Sequence, residues 1–357
     1  MINIAAISND SEEQRQHPLQ DTTLLAALLL FGLTCCFLFF QWYQSDRKKI
    51  RLPGDLLHAP EKFITYRQTS VFTLPLVGEP TCFAVKGNTF IIGTESPSAL
   101  WFFNEEGTLL QKIDMPEAPL TIACGTNETI FTDKIVVAHP TRIAAYTYEG
   151  NEAISWKLPG EESNVRSLVL TPDFLFAADT KQRSVHRFNA DGVVDLTFGN
   201  FIVYASPIVM TYSPQSGLLY VANPGKHRVE VFTQAGMSKP ELSWGKPSTD
   251  FFGFAGCCNP IGLAVLDDGR ILTVEKAISR VKIFRDRMVD CIVAGPSVLD
   301  SLPSIEKRRA PLKPDRYFAA AVLSGERIAV FDFEYAAVRV LVRHDILRHV
   351  NNLPFPL

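Results

Sequence analysis

A chain of 357 residues with 46% apolar and 20% charged side chains has the composition of a globular protein with a sizeable core. Its formal net charge of -3 argues against a nucleic-acid binder, which shows a basic excess or a basic face. The 21 Gly and 23 Pro are spread along the chain, a pattern of many turns joining short strands.

Residues 1–21 form an acidic tail, with Asp10, Glu12, Glu13 and Asp21 against Arg15. The stretch Leu24 to Tyr43, "LLAALLLFGLTCCFLFFQWY", then runs for 20 residues without a charge. At about 1.5 Å rise per residue it matches a hydrocarbon core ~30 Å thick, so a single transmembrane helix is expected over 22–43. Trp42 and Tyr43 end it as interfacial anchors. A cleaved signal peptide would need a basic start and a small-residue cleavage site, and "FFQWYQSD" offers none. The following linker, 44–62, carries Arg47, Lys48, Lys49 and Arg51, a flank that favours a cytoplasmic position for the main domain.

From residue 63 to 345 one unit recurs: an apolar strand, a tight turn, a second strand, a polar link and a third strand. It is clearest in "IGLAVLDDGRILTVEKAISRVKIF", in "VMTYSPQSGLLYVANPGKHRVEVF" and in "LVLTPDFLFAADTKQRSVHRF". Weaker copies begin near Cys82, Ile122 and Ala319, making six in all. A period of roughly 40 to 60 residues with about four strands per unit predicts an all-β, six-bladed β-propeller. The preceding stretch Phe63 to Leu74 is expected to supply the outer strand of the last blade and close the ring. Pro and charge break the period at 297–316, read as an insertion between blades five and six, and 346–357 is a C-terminal tail. No sustained helical apolar periodicity competes with this reading.

The segment "NPIGLAVLDDGRILTVEKAISRVKIF" resembles an NHL-type repeat. More narrowly, "LLYVANPGKHRVEVFTQAG" followed by "GFAGCCNPIGLAV" is similar to a group of bacterial membrane-anchored NHL-like proteins carrying a GCCNP motif. That resemblance implies the six-bladed fold and supplies almost no chemistry. Ala277 departs from it, standing where that group has Gly.

Aligning the copies gives one equivalent polar position per blade: Glu95, His139, Asp179, Asn223, Glu275 and Asp332. Each ends a strand, and propeller geometry puts all six at one mouth of the central channel. They could ring a ligand, or each could cap its own turn through backbone N–H groups, as Asp and Asn do. Arg142, Arg183, Arg228 and Arg280 follow closely and would pair with these acceptors. The link into blade five brings Cys257, Cys258 and Asn259 to the same mouth, beside Glu275 and Lys276. Three readings are open for the vicinal cysteines: a strained, redox-labile disulfide, a metal or cofactor site completed by His139 or Glu275, or packing under the loop. Neighbouring side chains alternate in direction, so a metal there would need other donors; Cys291 is expected on the outer strand of that blade, far from the channel.

No G-x-S-x-G, P-loop or H-E-x-x-H motif is present. Glu79 before Pro80 resembles the metal-binding Glu of calcium-dependent lactonase propellers, giving Glu79, Asp179, Asn223 and Glu275 as an alternative ligand set for Ca²⁺. No cofactor is otherwise expected. The His residues share no spacing, and several are expected on solvent-facing strand positions. The leading functional expectation is a membrane-tethered binding module for a protein partner or small ligand, associated with a redox-linked membrane assembly. The alternative is a metal-dependent hydrolase or lyase at the channel mouth.

Overall fold

The computed structural model describes residues 26–38, 63–248, 250–276, 278–300 and 317–344. The acidic tail, the rest of the apolar segment, the linker 44–62, Ala277, most of the insertion and the C-terminal tail lie outside the described residues. The chain divides into two compact units, Met1–Leu52 and Pro53–Leu357.

In the first unit, residues 26–38 form a helix whose side chains are exposed, among them Leu30, Phe31 and Leu33. The rest of the expected span, 22–25 and 39–43, lies outside the described residues. No helix among the described residues is long and apolar enough to cross a membrane.

The second unit holds six antiparallel sheets. Blade one is β2 (Glu79–Lys86), β3 (Thr89–Glu95), β4 (Ala99–Phe103) and β5 (Leu109–Asp114), preceded in the chain by β1 (Tyr66–Thr73). Blade two is β6 (Thr121–Cys124), β7 (Ile135–Ala138), β8 (Arg142–Tyr146) and β9 (Glu152–Lys157). Blade three is β10 (Val165–Leu170), β11 (Leu175–Asp179), β12 (Ser184–Phe188) and β13 (Val194–Phe198). Blade four has β14 (Met210–Ser213), β15 (Leu218–Asn223) and β16 (Arg228–Thr233). Blade five is β17 (Gly262–Val265), β18 (Ile271–Glu275), β19 (Arg280–Arg285) and β20 (Met288–Ala294). Blade six is β21 (Phe318–Leu323), β22 (Arg327–Asp332) and β23 (Ala337–Arg343), with β1 as its outer strand.

The expected closure is therefore present: β1 pairs antiparallel with β23, Tyr66 opposite Arg343 and Thr73 opposite Ala337. The apolar clusters show the same ring from the side-chain level. Each fills the layer between two neighbouring blades. Ile91 and Leu100 of blade one meet Ile135 and Val137 of blade two, and so on round to Phe331 and Val338 of blade six against Phe90 and Trp101 of blade one. Middle strands are covered on both faces, which is why β7, "IVVA", and β11, "LFAAD", are buried at every position. Outer strands are wetter, as in β5, where Ile113 is the one buried position.

Blade four departs from the expected four strands. The chain after β16 forms isolated bridges instead, Phe232 with Ser238 and Val229 with Trp244. Trp244 and Val229 exchange both backbone hydrogen bonds, at 2.8 and 3.0 Å, and Lys239 N–H donates to Val231 O. The exposed edge of β16 is thus satisfied without a regular strand. A cavity of about 470 Å³ lies against it, lined by residues including Lys226, Arg228 and Glu230.

Candidate functional site: the link-bearing mouth

In each antiparallel blade, the end of the second strand and the link leading in from the previous blade emerge on the same face. The six equivalent positions sit there, all fully buried except Glu95, which is exposed. What the buried ones hold is consistent from blade to blade. The side chain reaches back to the backbone of its own blade's lead-in link, or caps its own turn.

Asp179 Oδ1 accepts from Asn164 N–H at 3.1 Å in the lead-in link of blade three, and from Lys181 and Gln182 N–H at 2.9 and 3.0 Å in its own turn. Asn223 Oδ1 accepts from Ile202 N–H at 3.0 Å in the link to blade four. Glu275 Oε2 accepts from Ala255 N–H at 3.2 Å in the link to blade five. His139 does the same with reversed polarity: its Nδ1 lies 3.1 Å from Glu117 O in the link to blade two, and its Nε2 2.9 Å from Tyr146 OH. Burial pushes the pKa of His139 down, so the ring is neutral, with Nδ1–H donating to the carbonyl and Nε2 accepting from the tyrosine. Asp332 caps its own turn, taking Glu334 and Tyr335 N–H at 3.0 and 3.4 Å. Backbone groups in links need such partners because burial otherwise leaves them unsatisfied.

The arginines expected to pair with these acceptors mostly do not. Arg142 binds Glu117 and Glu152, at 3.3 and 2.9 Å, and Arg228 donates to Ser243 O at 3.4 Å. Arg228 and Arg280 each stand directly opposite their acceptors, in register with Asn223 and Glu275. The histidines are corrected too. His186 is buried on β12, between Ser184 Oγ at 3.2 Å and Thr197 Oγ1 at 2.9 Å, and burial lowers its pKa.

Blade five carries the densest arrangement. Lys282, in the middle of the apolar "RVKIF" strand, is fully buried and places Nζ 2.6 Å from Glu275 Oε1. The same Nζ donates to Gly253 O at 2.6 Å and Phe251 O at 3.1 Å, and faces the rings of Phe254 and Phe284 at 4.8 and 5.4 Å. Burial holds Lys282 below its ordinary range, with the Glu275 carboxylate opposing that shift. Further along the link, Asn259 is fully buried; its Nδ2 donates to Ala255 O and Lys276 O, and its Oδ1 accepts from Lys276 N–H at 2.9 Å. The loop over 251–259 is therefore pinned from beneath at several backbone groups. Its aromatic side chains continue to the start of the propeller, where Phe63 packs on Phe251 and Phe252 at 4.7 and 6.1 Å between centroids.

On this pinned loop Cys257 is exposed and Cys258 buried, with their Sγ atoms 2.9 Å apart. The expected alternation of neighbouring side chains does not hold. Cys258 has φ +63°, in the left-handed region, and that turn brings both thiols to the same side. Cys291 does lie on the outer strand of the blade, as β20.

Tyr317, leading into blade six, donates its hydroxyl to Ala205 O of the blade-four link at 3.2 Å, and Lys276 Nζ sits 5.4 Å from its ring centre. Exposed side chains on this face include the aromatic Tyr204 at 75% and Phe252 at 49%, Ile202, Cys257 and Glu95, and the turn residues Lys181, Gln182 and Arg183. Among the described residues, no three His, Cys, Asp or Glu side chains are grouped as metal ligands would be. Glu79 stands opposite Glu95 across β2 and β3, while Asp179, Asn223 and Glu275 each serve their own blade's link. Sequence reasoning placed the polar ring but missed Lys282, whose signal was a lone charge between Val281 and Ile283 in a middle strand.

Comparison with solved structures agrees with the architecture. The fold is that of a six-bladed β-propeller. Virginiamycin B lyase from Staphylococcus aureus superposes with a TM-score of 0.52 at 11% identity, over 78% of this chain and 99% of that one. Its catalytically inactive variant with quinupristin gives 0.51 at 13%, over 78% and 99%. A protein of unknown function from Bacteroides thetaiotaomicron gives 0.54 at 13%, over 78% and 75%. At such identities the likeness shows the fold alone. No family model and no curated protein matches the chain.

Proposed function

We propose that this chain is a membrane-tethered propeller whose link-bearing face binds a protein partner or small ligand. The observation that carries this reading is the contrast within that face. Tyr204 and Phe252 are exposed on links whose backbones are clamped from below by Asn223, Glu275 and Lys282. Large aromatic side chains held on a rigid support lose little freedom on binding, which is what an interaction surface requires. The tether rests on the uncharged stretch Leu24 to Tyr43 and the exposed apolar helix over 26–38, and the basic flank after it favours the cytoplasmic side. Confinement at a bilayer raises the propeller's effective concentration for neighbours there. Association with a redox-linked assembly rests on Cys257 and Cys258.

The test is site-specific photo-crosslinking of the full chain in native membranes. A crosslinker at 204 or 252 is expected to trap one discrete species, while one at 193 or 288, in the turns of the opposite face, traps none. Equal trapping from both faces, or none from either, would overturn the reading. Recovery of the chain in the soluble fraction would overturn the tether.

A second reading, a hydrolase or lyase at the same mouth, draws on the lyase neighbours and on Asp179 Oδ2 and Asn223 Nδ2, buried atoms with no hydrogen-bond partner among the described residues. Consumption of virginiamycin B by the wild-type chain, lost in Asp179→Ala, would support it.

A further inference from the structure

We propose that Cys257 and Cys258 form a reversible dithiol–disulfide centre that exchanges with disulfide-bearing partners or small disulfides. The first support is separation. Two thiolates on one tetrahedral zinc, each at about 2.3 Å, stand about 3.8 Å apart. The Sγ atoms here are 2.9 Å apart, in direct contact and nearer to each other than two ligands of one ion. The second is access. Cys257 is exposed and can meet an incoming disulfide, while Cys258 is 1% exposed and can be reached only by its neighbour. The third is preorganisation. The left-handed φ of Cys258 turns the two side chains together, and Asn259, Glu275 and Lys282 hold the flanking backbone in that shape. A non-glycine residue kept in that region by its surroundings is a feature of functional loops.

The chemistry balances with a disulfide R–S–S–R as oxidant. The Cys257 thiolate attacks one sulfur, that S–S bond breaks, and a mixed disulfide forms as the first R–SH leaves with a proton. Cys258 Sγ then attacks Cys257 Sγ, the mixed disulfide breaks, and the second R–SH leaves. The two protein thiols are oxidised, the incoming disulfide is reduced, and the two thiol protons leave on R–SH. Neighbouring Cα atoms are only ~3.8 Å apart, below the usual disulfide range, so the product is easily reduced and the step runs in both directions.

The inference deepens the proposed binding role of this face and rests on it for delivery of a protein disulfide. Its chemistry is tested without that partner. The full-length chain in detergent is equilibrated across ratios of glutathione disulfide to glutathione, quenched in acid, alkylated with N-ethylmaleimide and analysed by peptide mass spectrometry. In the wild type the Cys257–Cys258 peptide is expected to lose two hydrogens and take no label at oxidising ratios, then regain both labels under excess glutathione. Cys258→Ser is expected to stop at a glutathione adduct on Cys257, and Cys257→Ser to form neither product. Labelling of both wild-type thiols at every ratio would overturn the proposal. So would a wild-type adduct as persistent as that of Cys258→Ser. The two readouts separate the two ideas: loss of crosslinking from position 252 with this oxidation intact would sink the binding reading alone.

Discussion

Lys282 Nζ lies 2.6 Å from Glu275 Oε1 with both side chains wholly excluded from solvent, and this pair fastens the loop that carries Cys257 to the middle of blade five. The ammonium neutralises the carboxylate and satisfies two loop carbonyls, while the other carboxylate oxygen holds Ala255 N–H. Removing one partner leaves a buried charge uncompensated, which costs about 3–5 kcal/mol. Lys282→Met should therefore lower the urea midpoint strongly. The double variant Lys282→Met/Glu275→Gln should recover part of that loss. Additive losses in the double variant would contradict a coupled pair.

His139 and His186 give the fold a pH dependence with a definite sign. Burial depresses both below the ordinary value of 6.5, so the unfolded chain takes up protons at higher pH than the folded one. Stability is full above 6.5 and is lost as pH falls toward the depressed folded values. Denaturation midpoints between pH 7.5 and about 5 should fall with pH. In His186→Gln the slope should flatten, since Gln can still bond Ser184 and Thr197. An unchanged slope would count against a buried neutral ring.

Thiol reactivity should separate the cysteines of the propeller. Burial raises Cys82 to about 12 and Cys124 to about 11, and also raises Cys291, so little thiolate forms near pH 8. Cys257 is exposed and should label first in the native state. Half-buried Cys124 should label more slowly, and Cys82 and Cys291 only as the propeller unfolds. Fast labelling of Cys82 would show that the layer between blades one and two opens readily.

Arg270 ties two blades together on the opposite face. Its guanidinium is almost wholly buried and bonds Asp268, Asp290 and Glu326 at 2.6, 2.9 and 3.0 Å, the last belonging to blade six. Arg270→Met should destabilise by about 2–4 kcal/mol through the stranded carboxylates, less than a fully buried pair because these three are partly wet. Hydrogen exchange should quicken across the junction of blades five and six and stay unchanged across blades two and three. Uniform quickening would show that the ring opens as one unit.

The blade count and the closing strand β1 were legible because middle strands are covered on both faces, which leaves continuous apolar runs between turn residues. The ring of polar positions was legible for the same reason: Asp179 and Asn223 end such runs. Their partners were not, since Asn164, Ile202 and Ala255 contribute only backbone N–H groups, which carry no residue signature. The left-handed turn at Cys258 was hidden because Gly or Asn ordinarily marks that conformation. Blade four was read as regular because the strand-like triplet of β14, β15 and β16 is intact, and the irregular chain that covers β16 has no strand pattern to miss.

The measurement that bears most directly on a face preorganised by its clamped links is native-state hydrogen exchange resolved at Asn164, Ile202 and Ala255. These three amides lie in links yet donate to Asp179, Asn223 and Glu275. They should exchange as slowly as amides of the middle strands, and Asp179→Ala should free Asn164, with Lys181 and Gln182 of the same cap, while Ile202 and Ala255 stay slow. Exchange at the rate of an open loop in the wild type would contradict the clamp and, with it, the rigid binding face.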